Sequence, residues 1–157
     1  MSTRSTITFK KADGTKTSIY CHYDGYIEGV GVTLQLAYNT ADKVKALMSL
    51  GDLSSLGYYT EPKTSTHSFN APENDVCVAY HRDRGEPFRQ SHGVNDYNYT
   101  FDEKKGVWYV KYNRRNHLLL DEILKADFSS CWLDDEFATK TNIHAVCTAK
   151  AAEAKRS

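Results

Sequence analysis

The stretch Ile19–Gly31, IYCHYDGYIEGVG, carries the chain from a strand into a helix and thereby sets the fold class. Side chains of an extended strand alternate between two faces, so Ile19 and Cys21 share one face and His22 lies on the other. A turn signal at Asp24-Gly25 follows. Apolar residues then recur at helical spacing over residues 29–38. We therefore predict an α+β domain in which this strand turns Ile19 and Cys21 toward the core.

Two β-hairpins are predicted, one near each end of the patterned part of the chain. Residues 5–23 alternate around Asp13-Gly14, and residues 97–112 alternate around a second glycine turn. With the short apolar run Val76–Tyr80, they predict an antiparallel sheet of about five strands packed by three or four helices. The remaining predicted elements are helices near 29–38, 41–50 and 118–125, a helical turn over Asp52–Leu56, a surface loop over 57–74 and an Ala-rich helical segment over Asn142–Lys155.

Length and composition limit the functional classes. A chain of 157 residues predicts a single domain over residues 1–157, with a frayed end from about residue 150. Lys plus Arg equal Asp plus Glu at 20 each, which argues against a broad nucleic-acid-binding face, because such a face needs excess positive charge. No apolar run approaches the ~18 residues of a membrane span, and the first residues lack the apolar segment of a signal peptide. We expect a cytoplasmic protein with reduced cysteines, in which Cys21 and Cys77 are small core residues.

Two charged clusters follow predicted strands and are the sharpest candidates for a site. His22 and Asp24 end the first hairpin, and the run from His81 to Glu86 ends Val76–Tyr80. If those two strands are neighbours in one sheet, the clusters face each other at its rim. The residues predicted to contact a partner are His22, Asp24, Tyr26, Arg82, Asp83, Arg84 and Glu86.

Three interpretations of these clusters stay open. The first is a divalent metal held by His22, Asp24, His81 and Asp83, although no spacing here matches a known metal motif. The second is a nucleotide whose phosphate is held by Arg82 and Arg84 and whose base stacks on tyrosine rings. The third is an ion-paired loop in which arginine and aspartate neutralise each other. No cofactor is predicted.

Glycines and aromatic residues have simpler explanations. Gly29-Val30-Gly31 is not a dinucleotide fingerprint, since Leu34 stands where the third glycine is required, and tight packing at a helix start is favoured. The aromatic residues of the second hairpin are interpreted as cross-strand packing, with stacking of bases as the alternative. This aromatic set comprises Tyr97, Tyr99, Trp108 and Tyr112, and Tyr58-Tyr59 belong to the same question.

Three motifs together resemble a family of small phage and mobile-element proteins. They are Tyr-Cys-His-x-Asp-Gly-Tyr at residues 20–26, Leu-Gly-Asp-x-Ser-x-Leu at 50–56 and Arg-Asp-Arg-Gly-Glu at 82–86. The resemblance covers residues 5–86, fits residues 97–112 loosely and does not extend past Lys125. It implies a soluble protein made inside an infected bacterium, and it brings no activity that can be carried over to these residues.

These observations together predict a small intracellular phage accessory protein in the host bacterial cytoplasm. It would bind a host or anti-phage defence protein stoichiometrically, as an inhibitor, and would not be an enzyme. The balanced charge, the lack of a recognisable catalytic set and the phage-like motifs support this prediction. The alternatives are a metal-dependent phosphoesterase or nuclease, and a nucleotide-binding sponge.

Overall fold

The computed structural model describes residues 3–125. The strands are Ser5–Lys10 (β1), Lys16–Cys21 (β2), Leu53–Ser55 (β3), Val78–Ala79 (β4), Tyr97–Asp102 (β5), Val107–Tyr112 (β6) and Arg115–Leu118 (β7). The helices are Val32–Ala37 (α1), Ala41–Met48 (α2), Tyr80–Arg84 (α3) and Leu119–Lys125 (α4), and a π-helix, Ile27–Gly31, precedes α1. The predicted α+β class is confirmed. The expected helical segment Asn142–Lys155 and the frayed end lie outside the described residues.

Within residues 3–125 the strands form one mixed sheet of seven, in the order β4-β3-β2-β1-β5-β6-β7. The prediction of about five antiparallel strands is therefore wrong in number and in orientation. Both hairpins are confirmed as antiparallel pairs, but β1 lies parallel to β5, with Ile7 opposite Tyr99 and Phe9 opposite Phe101. This register puts the apolar faces of the two hairpins on the same side, so the parallel pairing completes one continuous core.

Two strands were missed for local reasons. The segment predicted as a helical turn over Asp52–Leu56 contains β3, which is parallel to β2 at Cys21 and antiparallel to β4. The other missed strand, β7, pairs with β6 and ends at Leu118, where the helix over 118–125 was predicted to begin. The turn between β6 and β7 has positive φ at both Asn113 (49°) and Arg114 (65°). Such a turn usually carries glycine, and arginine there hides the hairpin from sequence inspection.

Helices cover one face of the sheet. The alternating strand residues on that face are buried: Ile7, Phe9, Ile19, Cys21, Tyr99, Phe101, Trp108 and Val110. Helix α2 buries Val44, Leu47 and Met48 as predicted, and its first turn is capped by Thr40, whose Oγ1 accepts a hydrogen bond from the Lys43 amide at 3.3 Å. The burial of Cys21 and Cys77 is also confirmed.

The predicted helix over residues 29–38 is divided between the π-helix and α1. The Gly31 amide donates to the Tyr26 carbonyl at 3.4 Å, which is the i→i−5 pattern of a π-turn. A Cβ on Gly29 would lie 2.4 Å from the Asp24 carbonyl oxygen, and one on Gly31 would lie 3.2 Å from Leu119 Cδ1. Tight packing is thus the reason for both glycines, as predicted.

Candidate functional site

A cleft of about 930 Å³ opens between the segment that follows β2 and the loop that leads from β3 to β4. A cavity of this size is typical of ligand-binding sites. Its tyrosines are Tyr23, Tyr38, Tyr58 and Tyr59, its carboxylates are Asp24, Glu61, Glu73 and Asp75, and its lysine is Lys43. Tyr23 and Tyr59 are about half exposed, at 48% and 51%. Aromatic rings and acidic groups therefore face solvent together in one concave surface.

Two aspartates with left-handed backbone conformation line this cleft from separate segments of the chain. Asp24 has φ 60°, and its carbonyl accepts the Val30 amide at 2.8 Å. Asp75 has φ 62°, and its carbonyl accepts the Tyr59 amide at 2.9 Å. Aspartate tolerates this conformation better than most residues. These hydrogen bonds fix the backbone at the points where the two acidic residues border the cleft.

Glycines allow both aspartate carbonyls to pack closely. A Cβ on Gly57 would lie 2.5 Å from the Asp75 carbonyl oxygen, just as one on Gly29 would lie 2.4 Å from that of Asp24. The π-helix contributes Gly29 and Val30 to the cleft wall. Thr33 Oγ1 donates to the Gly29 carbonyl at 3.1 Å and so ties α1 to this turn. Single π-turns occur frequently at functional sites because they reshape a helix locally.

The floor of the cleft is a buried network around Tyr38. Its hydroxyl donates to the Gly57 carbonyl at 2.7 Å and lies 3.3 Å from Cys77 Sγ. Its own carbonyl accepts the indole N–H of Trp108 at 2.7 Å. Burial raises the pKa of Tyr38 and that of the Cys77 thiol, so both groups stay neutral. The floor is thus hydrogen-bonded and uncharged, and the charge of the cleft comes from its other lining residues.

Of the first predicted cluster, Asp24 lies in the cleft wall and His22 does not belong to the lining. His22 Nδ1 lies 2.6 Å from the Tyr20 hydroxyl, and its ring packs edge-on against Tyr23 at 4.5 Å between centres. The predicted turn at Asp24-Gly25 is present as the positive φ of Asp24. The Tyr26 hydroxyl donates to Asp24 Oδ1 at 3.3 Å, so these two predicted residues are neighbours.

In the second predicted cluster, Arg82 and Asp83 are held by structural contacts. Arg82 donates to the carboxylate of Asp83 through Nε at 2.9 Å and Nη2 at 3.1 Å, and also to the carbonyls of Thr60 and Cys77. Asp83 Oδ2 accepts the Ala79 amide at 2.8 Å. Burial alone would raise the pKa of Asp83, but the hydrogen bonds from Arg82 and Ala79 outweigh it and lower that pKa below its ordinary 3.8. The interpretation as an ion pair describes these two residues, but they lie in helix α3 and not in a loop.

No pattern in the sequence singles out His67, which completes this network from within the long loop. Its side chain is 1% exposed, and Nε2 lies 3.2 Å from Asp83 Oδ2, although out of line for a hydrogen bond. Nδ1 accepts the Glu73 amide at 2.9 Å, which assigns the proton of the neutral ring to Nε2. His67 and Arg82 both connect the loop between β3 and β4 to Asp83, His67 from within the loop and Arg82 through the Thr60 carbonyl. Asp83 therefore helps to position the part of this loop that lines the cleft.

Arg84, Glu86 and His81 lie on the surface. Arg84 Nε is 3.6 Å from Glu86 Oε2, and its guanidinium lies 4.8 Å from the Phe69 ring centre. His81 Nδ1 is 2.7 Å from the Glu86 carbonyl oxygen. His81 and Glu86 border a small pocket of about 200 Å³ together with Tyr20.

A joint site would require the strands that precede the two clusters, β2 and β4, to be neighbours in the sheet. They are not neighbours, since β3 lies between them. Because β2 is parallel to β3 and β4 is antiparallel to it, the chain leaves β2 and β4 in opposite directions. Within residues 3–125, no group of three or more His, Cys, Asp or Glu residues is arranged to hold a metal ion. The four residues of the metal interpretation are therefore not brought together.

A second polar cluster that the sequence did not reveal joins β6, β7 and α4. Buried Glu122 accepts the Tyr112 hydroxyl at 2.8 Å, and its other oxygen lies 3.0 Å from His117 Nδ1. The hydrogen bond to Glu122, together with burial, raises the pKa of Tyr112 to about 12.

The aromatic rings of the second hairpin pack against one another. The rings of Tyr97 and Tyr112 lie 5.2 Å apart, and Trp108 packs against Phe101. Cross-strand packing, the favoured interpretation of the hairpin aromatics, is confirmed.

No protein-family model, curated protein or solved structure matches this chain. Among the described helices, none has the length and apolar character needed to cross a membrane.

Proposed function

We propose that this protein is a small intracellular phage accessory protein that binds a host or anti-phage defence protein stoichiometrically through its tyrosine-rich cleft. The observation that carries the proposal is the cleft itself, in which half-exposed Tyr23 and Tyr59 border a concavity of about 930 Å³. Tyrosine combines a large apolar ring with a polar tip and is enriched at protein interfaces. The phage-like motifs at residues 20–26, 50–56 and 82–86 support the cellular context.

The use of the acidic residues favours binding over catalysis. Asp83 accepts a backbone amide and Arg82, and Glu73 accepts the amides of Lys63 and Thr64 at 3.0 Å each. Asp52 likewise accepts the backbone amide of Tyr20. Carboxylates that satisfy backbone donors stabilise the fold and are poor general bases, because those hydrogen bonds favour the ionised, weakly basic form. A binding role needs no such base.

The alternative functions receive less support from this geometry. A phosphate-binding role for Arg82 would have to compete with its contacts to Asp83 and to two backbone carbonyls. The cleft, with four carboxylates and one lysine in its lining, repels a polyphosphate chain. Arg84 is exposed, but its neighbours are Glu86 and a phenylalanine ring.

The test is capture of a partner from host bacterial lysate followed by reconstitution with the purified partner. We expect a complex of fixed stoichiometry, measured by light scattering after size exclusion. Replacement Tyr59→Ala should weaken it at least tenfold, since central interface tyrosines commonly contribute about 2 kcal/mol. Tyr109→Ala is the matched control, because Tyr109 lies on the sheet in β6 outside the cleft lining. Equal effects of both variants, or turnover of a substrate without a partner, would contradict the proposal.

A further inference from the structure

We infer that the cleft receives a cationic side chain, an arginine or lysine presented by a peptide segment of the partner. The inference rests on the proposed function and adds the chemistry of the contact. It depends on three features of the cleft, namely its concave shape, the sign of its charge and its exposed tyrosine rings.

The charge of the lining is strongly unbalanced, although the whole chain is neutral. Asp24, Glu61, Glu73 and Asp75 line the cleft with Lys43 as the one basic residue among the described lining residues. Low-dielectric walls concentrate the field of like charges inside a concave site. Since the whole chain has as many basic as acidic residues, this excess of negative charge is a local property of the cleft and favours a cation within it.

Two of these carboxylates are accessible to a ligand. Glu61 and Asp75 are both exposed, in contrast to Glu73, which accepts two amides of the loop. The backbone of Asp75 is fixed by its hydrogen bond from Tyr59. An exposed carboxylate on a fixed backbone loses little freedom when it pairs with a cation, which favours binding.

The tyrosine rings offer a second kind of contact to the same ligand. Lys63 Nζ already lies 5.2 Å from the centre of the Tyr59 ring, within cation–π distance. The Tyr59 ring therefore already packs against one cationic group of the chain itself. Rings beside carboxylates are a typical arrangement for arginine, whose flat guanidinium stacks on aromatic faces and pairs with carboxylates.

The test uses two synthetic peptides that differ in one residue, a Gly/Ser-rich peptide with a central arginine and the same peptide with glutamate. Binding to the full chain is measured by fluorescence anisotropy at low and at physiological salt. We expect the arginine peptide to bind at least tenfold more tightly than the glutamate peptide, and to lose affinity as salt rises. Equal binding of both peptides would overturn the inference.

Charge variants of the lining locate the contact. Asp75→Asn keeps the shape and tolerates the left-handed conformation, and should weaken the arginine peptide about two- to fivefold, as should Glu61→Gln. Lys43→Gln should strengthen it by a similar factor. Asp96→Asn, an exposed acid outside the lining, is the matched control and should change nothing. No effect of the first two variants, or weaker binding by Lys43→Gln, would overturn the inference.

The source of the cation is tested with spermidine, a free polyamine. Spermidine that competes more strongly than the arginine peptide would assign the cleft to a free amine and overturn the peptide assignment. The proposed function fails separately: a partner complex weakened by Tyr59→Ala but indifferent to Asp75→Asn and Glu61→Gln removes only the cationic contact. A complex that also ignores Tyr59→Ala removes both.

Discussion

Replacement of Asp83 by asparagine should destabilise the protein by about 2–3 kcal/mol. The variant loses the charge-assisted hydrogen bonds from Arg82 Nε and Nη2, at 2.9 and 3.1 Å, and the electrostatic contact with His67 at 3.2 Å. Hydrogen bonds to charged groups contribute about 1.5–3 kcal/mol each, and breaking a buried ion pair costs about 3–5 kcal/mol. We expect a cost below the range for a fully buried ion pair, because Arg82 is 24% exposed and keeps two backbone carbonyls as partners.

The measurement is urea unfolding followed by circular dichroism, with a thermal scan as a second readout. A loss of this size should lower Tm by about 6–10 °C for a chain of this length. Glu86→Gln is the matched control in the same segment. Its pair with Arg84 is 3.6 Å long with side chains 43% and 57% exposed, so it should cost less than about 0.5 kcal/mol.

The pH dependence of stability provides an independent check on Asp83. The pKa of Asp83 is lower in the folded protein than its ordinary 3.8. At acidic pH the folded state therefore binds fewer protons at this carboxyl than the unfolded state does. The stabilisation is fully present above the ordinary carboxyl pKa and is lost as the pH falls through the folded pKa. We expect Asp83→Asn to flatten this acid limb, measured by urea unfolding at a series of acidic pH values.

Two results would refute this reasoning. One is an Asp83→Asn variant as stable as Glu86→Gln with an unchanged acid limb, which would show that the buried network contributes little. The other is a stable Asp83→Asn variant that has lost partner binding, which would make Asp83 a contact residue instead of a support for the loop.

Three further predictions concern the cleft edge, the second polar cluster and the core. Gly57→Ala should cost about 1–3 kcal/mol in urea unfolding, because its Cβ would lie 2.5 Å from the Asp75 carbonyl oxygen and force the backbone apart; an unchanged midpoint would contradict this. Glu122→Gln should lower the pKa of Tyr112 from about 12 toward 10, followed by absorbance of the phenolate, since the carboxylate that accepts the hydrogen bond of its hydroxyl is gone; an unchanged titration would argue against that hydrogen bond. Cys21, whose pKa burial raises to about 12, should resist alkylation by iodoacetamide in the native protein and react in concentrated urea, as mapped by mass spectrometry of peptides; rapid native labelling would refute its burial.

Local patterns were sufficient for the hairpins and the helix stripe. The turn at Asp13-Gly14, the alternation of Ile7, Ile19 and Cys21, and the stripe of α2 are each determined by neighbours in sequence. The tight packing of Gly29 also followed from its place at a helix start. These features need only the periodicity of strands and helices and the stereochemistry of single residues.

The assembly of these elements depended on contacts between distant residues. Parallel pairing of β1 with β5 joins Phe9 to Phe101, a choice that no local pattern encodes. The same holds for the cleft, since Asp24 and Asp75 line it from separate segments. Sequence alone therefore determined the two hairpins and the buried stripe of α2, but not the short strands β3 and β7. Only the tertiary structure decided that β3 separates the two charged clusters and that acids and tyrosines converge elsewhere, because strand order is set by matching apolar faces over the whole sheet.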